Sequence, residues 1–233
     1  MNLEDNKILY ADILQSLRLG GEILWEEDEG ILVKDKISHI LYSAATTYEA
    51  GKRIVQHLPD RFEILVAHDL YTDPFLQELG LHYEQTCYHC AYIGTEDVPV
   101  NLLSGYEIRR LDTSVMSTII AMYSHSMESL ANEEYIRKCL EDGMYGVWQN
   151  EELCGFIGVH DLASIGLLEI KEEHRRKGLA VSLIQHMINE QLHKGRIPYG
   201  EIFTYNKASI KLQEKTSMEV GKDLTYWYFP KYS

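Results

Sequence analysis

Apolar positions switch repeatedly along the chain between a spacing of three or four and strict alternation, which predicts intermixed helices and strands. Residues 3–19 carry a helical stripe closed by Gly20 and Gly21. Strand-like runs follow at 22–29, 30–35 and 38–45, with Gly30 read as a turn. A helical stretch at 47–58 ends before Pro59. A short buried strand at 62–69, a helix around 73–80 and an aromatic-rich alternating run at 82–94 complete the first part. The connection 95–105 has no periodicity and marks the boundary between an amino-terminal domain, 1–104, and a second domain, 105–233.

The second part begins with an alternating strand at 106–112. A helix at 113–125 has Thr113 or Ser114 as N-cap, and another at 132–143 is capped by Asn132, with Gly143 after its last turn. Strands at 144–150 and 153–161 are joined by an Asn150-Glu151 hairpin turn, and a third strand spans 164–170. Strands and helices in this order predict an α/β (α+β) protein.

Composition narrows the classes. The 233 residues are 45% hydrophobic, which is enough for a sizeable core. No apolar run approaches the roughly 20 residues of a membrane helix, and the start of the chain lacks a basic, then apolar, secretion signal. A cytoplasmic protein with no membrane partner is expected. The formal charge of −14 argues against nucleic acid as a partner, because binding to phosphates needs a basic face. Cys87 and Cys90 lie in a strand-like run, on opposite faces, and no second pair completes a zinc site, so no metal ligands are assigned.

One basic concentration stands out against that acidic background. After the strand ending at Ile170, a polar loop (171–177) brings Arg175, Arg176 and Lys177 to Gly178, where a helix opens. Its apolar face is Leu179, Leu183, Ile184, Met187, Ile188 and Leu192. The first N–H groups of a helix lack internal partners and sit at the positive end of its dipole, so a basic loop with glycine at that point suits an anion. The triphosphate pattern GxxxxGK[ST] and the dinucleotide pattern GxGxxG are both absent.

The run Arg175 to Ala180 resembles the R/Q-x-x-G-x-G/A signature of the GNAT superfamily of acyl-CoA-dependent N-acetyltransferases. Residues 206–218 are similar to its second signature, N-x-x-S/A-x-x-L-Y-x-K-x-G-F. The resemblance covers residues 106–233 and implies the GNAT fold there, a mixed, mostly antiparallel sheet flanked by helices, with acetyl-CoA (CoA) as cofactor. It places the pyrophosphate on Arg175, Arg176, Lys177, Gly178, Leu179 and Ala180, and the pantetheine arm along Leu168 to Ile170 and at Asn206. Ser209, Lys211 and Lys215 would face the same cofactor.

The implied reaction is attack of a primary amine on the thioester, which requires loss of a proton from the amine and stabilisation of charge on the carbonyl oxygen. An N–H at Ile170 or its neighbour suits the oxygen, and Glu169 and His160 are the candidate bases. The tyrosine that often protonates the thiolate falls at Gln213, which cannot act as an acid. Tyr205, Ser209 or water is the candidate in its place, unless the thiolate leaves without a proton. The G-F of the second signature is Ser217-Met218 here.

Residues 75–93 resemble the family's last helix and following strand, so the amino-terminal domain reads as a degenerate, half-GNAT-like copy without a cofactor loop. This arrangement is similar to that of glycine N-acyltransferases. With the acidic charge it implies a small amine or amino-acid acceptor in a monomer or homodimer. A CoA-binding regulatory or scaffold protein with lapsed catalysis is the alternative.

Overall fold

The computed structural model describes residues 1–123 and 132–231. The strands are β1 (Glu22–Glu27), β2 (Gly30–Lys34), β3 (Leu41–Ala45), β4 (Leu65–Ala67), β5 (Tyr83–Ala91), β6 (Glu107–Arg110), β7 (Tyr145–Gln149), β8 (Glu152–Val159), β9 (Ile165–Ile170), β10 (Tyr199–Phe203) and β11 (Glu219–Tyr228). The helices are α1 (Ala11–Arg18), α2 (Tyr48–Gln56), α3 (Asp73–Glu78), α4 (Met116–Tyr123), α5 (Glu133–Gly143), α6 (Leu179–His193) and α7 (Lys207–Gln213). The last two residues of the helix expected at 113–125 lie outside the described residues. Among the described residues no helix is long and apolar enough to cross a membrane.

The described residues fall into two compact units. The first comprises Met1–Ile93, Tyr199–Ile210 and residues 218–231; the second comprises the rest of 94–198 and Lys211–Ser217. The first unit is built on a seven-stranded sheet in the order β1-β2-β3-β4-β11-β5-β10. Only β3 and β4 pair in parallel in that sheet. Strands from the two ends of the chain are interleaved: β11 lies between β4 and β5, and β5 lies between β11 and β10. One face packs Leu32, Leu41, Leu65 and Tyr228 against Ile54 of α2 and Leu76 of α3. The second unit has an antiparallel sheet in the order β6-β7-β8-β9, with Phe156 and Leu167 packed on Ile119 of α4 and on Ile136 and Leu140 of α5.

Several local expectations change for identifiable reasons. The helix expected at 3–19 divides into a 3₁₀ turn, Leu3–Asn6, and α1, because the Asn6 side chain accepts the Leu9 N–H and ends the first turn locally. Gly30 is not the turn. It is a buried residue of β2 paired with Glu27, and Asp28 and Glu29 make the connection. The cap before α4 is Asp112, whose carboxylate accepts the Ser114 N–H at 2.8 Å, rather than Thr113 or Ser114. Asn132 caps α5 as expected, and Asn150 and Glu151 both adopt positive φ, the geometry of a type I′ hairpin. Cys87 and Cys90 are buried free thiols in a strand that is paired on both sides.

Candidate functional site

Within the second unit, β8 and β9 pair in register from Gly155–Ile170 and Phe156–Glu169, then slip to Gly158–Gly166. One residue of β8 therefore faces two of β9, which is a β-bulge, and Leu167 takes a φ of 49° there. The bulge resets the alternation just before Leu168, Glu169 and Ile170. Since the Lys171 N–H bonds to Cys154 O at 2.9 Å, alternation turns the Ile170 N–H toward the outer edge of β9, the terminal strand of its sheet. There it donates to Glu169 Oε1 at 3.3 Å.

The loop after β9 is held by its own side chains. His174 is buried, with Nδ1 3.1 Å from Tyr106 Oη, and Lys177 Nζ donates to the same oxygen at 3.2 Å. Lys171 pairs with Glu152 at 2.7 Å. These contacts fix both ends of the loop and leave Arg175, Arg176 and Gly178 exposed at its crest. Arg176 (φ 62°) and Gly178 (φ 81°) both adopt left-handed conformations.

Gly178 is the N-cap of α6 and offers no side chain to it. The first helical bond runs from Ser182 N–H to Gly178 O, so the N–H groups of Leu179, Ala180 and Val181 have no intrahelical acceptor. The first turn holds no acid, and a Cβ placed on Gly178 would meet nothing within 4 Å. The Leu179 side chain is buried, so only its backbone serves the mouth. Backbone amides and the positive end of the helix dipole are open there, cationic residues precede them in the chain, and the turn holds no carboxylate.

Beside this mouth is a cleft of about 540 Å³ lined by Ser117, Thr118, Ala121 and Met122 of α4 and by Glu169, Ile170, Lys171, Glu172 and Arg175. Its size is that of a small-molecule site. Arg175 spans it, donating from Nε to Ile170 O at 2.9 Å and from Nη2 to Glu169 Oε1 at 3.0 Å. Glu169 thus faces the cleft with its carboxylate oriented by a cation. Ser117 and Thr118 bring hydroxyls to this cleft, and their signal in the sequence is two small polar residues in a mostly apolar helix.

The remaining candidates are dispersed. His160 stands at the end of β8, outside the residues lining the cleft. Its Nδ1 is 2.6 Å from Tyr135 Oη, its ring lies against Gly166, and burial pushes its pKa down to about 4. Such a ring is neutral and a poor proton acceptor near pH 7. Tyr205 is 68% exposed and stacks on Phe203 in the first unit. Asn206, also in that unit, accepts the Ser209 N–H at 3.0 Å and so caps α7. Lys215 is exposed in the second unit, and the Gln213 side chain accepts from the Thr216 hydroxyl.

Comparison with known proteins bears on these features. Residues 143–228 match the family described as FR47-like protein. No curated protein matches the sequence. Solved structures do: a GCN5-related N-acetyltransferase from Kribbella flavida (10% identity, 97% of this chain and 95% of that one, TM-score 0.60) and one from Sphaerobacter thermophilus (13%, 88% and 82%, 0.53). A tandem GNAT protein from the clavulanic acid biosynthesis pathway is also similar (14%, 96% and 88%, 0.53). At these identities the likeness concerns the fold, and the chain has the GNAT fold expected of it.

Proposed function

We propose that this protein is a CoA-dependent N-acyltransferase that moves an acetyl or other acyl group to a primary amine. The observation that carries the reading is the uncapped start of α6, open at Gly178 and flanked by Arg175, Arg176 and Lys177. That donor set fits a diphosphate, since backbone amides and cations face it and no side chain fills the space. Leu179 and Ala180 would contribute amides, and Leu168 to Ile170 a strand edge for the pantetheine arm. Bound there, an acyl-CoA supplies an activated thioester.

Glu169 is the residue best placed to take the amine's proton, at Oε1 or Oε2 or through one water, because it lines the cleft and Arg175 orients it. The Ile170 N–H, now held by the same carboxylate, is the donor available to a carbonyl oxygen when Glu169 turns to the amine. An acidic chain favours a cationic acceptor, and a small amine or amino acid suits the cleft. The tandem arrangement in one structural neighbour supports reading the amino-terminal part as a second, degenerate GNAT-like copy.

A second reading, a CoA-binding regulator with lapsed chemistry, is favoured by one observation. Gln213 stands where the family's acid is common, and its side chain is engaged by Thr216. The deciding experiment is thiol release from acetyl-CoA over a panel of amines and amino acids, with CoA affinity measured by calorimetry. Turnover that falls at least a hundredfold in Glu169→Gln with CoA affinity unchanged supports the enzyme. Tight CoA binding without turnover on any acceptor supports the regulator, and absence of CoA binding removes both.

A further inference from the structure

Far from the loop in sequence, the first unit buries a polar cluster that acyl transfer does not use. Asp12 of α1, His68 just after β4, and His89 of β5 are each at most 4% exposed. His68 Nε2 is 2.8 Å from Asp12 Oδ1, and His89 Nε2 is 3.7 Å from Asp12 Oδ2. Glu201 of β10, the register partner of His89, brings Oε1 to 3.9 Å from the same Nε2. Two imidazoles and two carboxylates thus converge from four elements.

The tautomers are set by the outer nitrogens. His68 Nδ1 lies 2.8 Å from Ser43 O, and His89 Nδ1 lies 2.7 Å from Leu9 O. A carbonyl oxygen can only accept, so each Nδ1 carries the proton and donates. In the neutral ring that leaves Nε2 with a lone pair, and both Nε2 atoms face carboxylate oxygens. Lone pair against carboxylate is repulsive unless a cation lies between them. A second proton on His68 answers only its own contact with Asp12. It does nothing for His89, whose Nε2 has no hydrogen-bond partner and whose side chain is fully buried. A buried polar atom left in that state is costly.

We propose that Asp12, His68, His89 and Glu201 form a closed, structural site for one divalent transition-metal ion, of the zinc class. A single ion satisfies both Nε2 atoms and balances the two carboxylates, leaving no net charge in the interior. Metal-bound histidines characteristically donate their other N–H to a backbone carbonyl, as both do here. Donors of a tetrahedral zinc stand about 3.3 Å apart, given metal–ligand distances of about 2.0–2.1 Å. The separations of 2.8, 3.7 and 3.9 Å bracket that value. Four protein ligands in a buried position leave no open coordination place, so the ion holds α1 to the sheet and takes no part in chemistry.

The test uses the full chain, purified, dialysed against metal-free buffer and analysed by mass spectrometry for metals. One zinc ion per chain is expected, and its removal by a chelator in mild denaturant should lower the melting temperature by roughly 10 °C, reversibly on adding Zn²⁺. His89→Ala should lose the ion and the response to Zn²⁺. Should that variant not fold, cobalt reconstitution of the unaltered chain decides: visible bands of tetrahedral Co²⁺ without thiolate charge transfer support this site. Thiolate bands would assign the metal to Cys87 and Cys90 and overturn the proposal. So would a cooperatively folded chain that holds no metal and whose melting temperature ignores both chelator and Zn²⁺. CoA affinity, read separately, is expected to be independent of these outcomes.

Discussion

The helices α2 and α6 each follow a strand and open a helical layer, yet their first turns are built in opposite ways. At α2 the chain satisfies itself: Thr47 accepts the Ala50 N–H, its hydroxyl donates to Glu29, and Asp69 accepts the Ala45 N–H at 2.6 Å. Glu49 adds a negative charge to that turn. At α6 nothing of the kind is present; the cap is a glycine in left-handed conformation, the first turn has no acid, and the preceding residues are cationic. A helix start closed by its own side chains contributes stability, whereas one left open keeps its donors for a ligand. Two β-α segments of one fold therefore differ in whether the first turn of the helix is closed by side chains.

The sharpest way to break this contrast is to give α6 what α2 already has. Gly178→Glu brings a carboxylate and a side chain to the mouth, and CoA affinity by calorimetry is expected to fall at least a thousandfold, about 4 kcal/mol. The left-handed backbone adds a strain of about 1–2 kcal/mol, which circular dichroism and melting would register as a modest loss of stability with the fold retained. Unchanged CoA affinity in a folded Gly178→Glu would end the distinction between the two helix starts.

Individual histidines of the two units show a similar contrast. His68 and His89 of the first unit face carboxylates, while His160 of the second is held neutral by burial alone, with its pKa at about 4 against an ordinary 6.5. Its contribution to stability is complete above pH 6.5. It is lost as pH falls toward 4, because the unfolded chain takes up a proton that the folded one refuses. The loss amounts to about 3 kcal/mol at most. Urea melts between pH 7 and pH 4.5 should show stability falling more steeply in the unaltered protein than in His160→Gln. Equal slopes would mean that His160 titrates freely, returning it to contention with Glu169 as the base.

What the sequence disclosed follows from how local each feature is. The open, glycine-capped start of α6 was legible because a helix start depends only on consecutive residues, and Asn132 and the Asn150-Glu151 turn were legible for the same reason. Glu169 was named, but its orientation by Arg175 depends on the bulge at Leu167, which no spacing announces. His160 looked usable because its residue type suits a base, whereas its burial is a tertiary property. The interleaving of β5 and β11 follows from pairing between distant strands, so the order of elements read correctly says nothing about which sheet each strand joins. Asp12 and His68, 56 positions apart, were invisible as a pair for that reason.

The smallest expected effect tests the closed end. Thr47→Ala removes the hydroxyl that accepts the Ala50 N–H and frees Glu29 from its bond, leaving an orphan donor at the first turn of α2. A lost N-cap of this type costs about 1 kcal/mol, so the urea midpoint should fall slightly with its slope unchanged. CoA affinity should not move, since α2 has no part in the cradle. The pairing of a stability change without a binding change here, and a binding change with little stability change at Gly178, is what the two helix starts require. Were Thr47→Ala to weaken CoA as much as it weakens the fold, α2 would be coupled to the site, and the opposition between a self-satisfied and an open helix start would have to be given up.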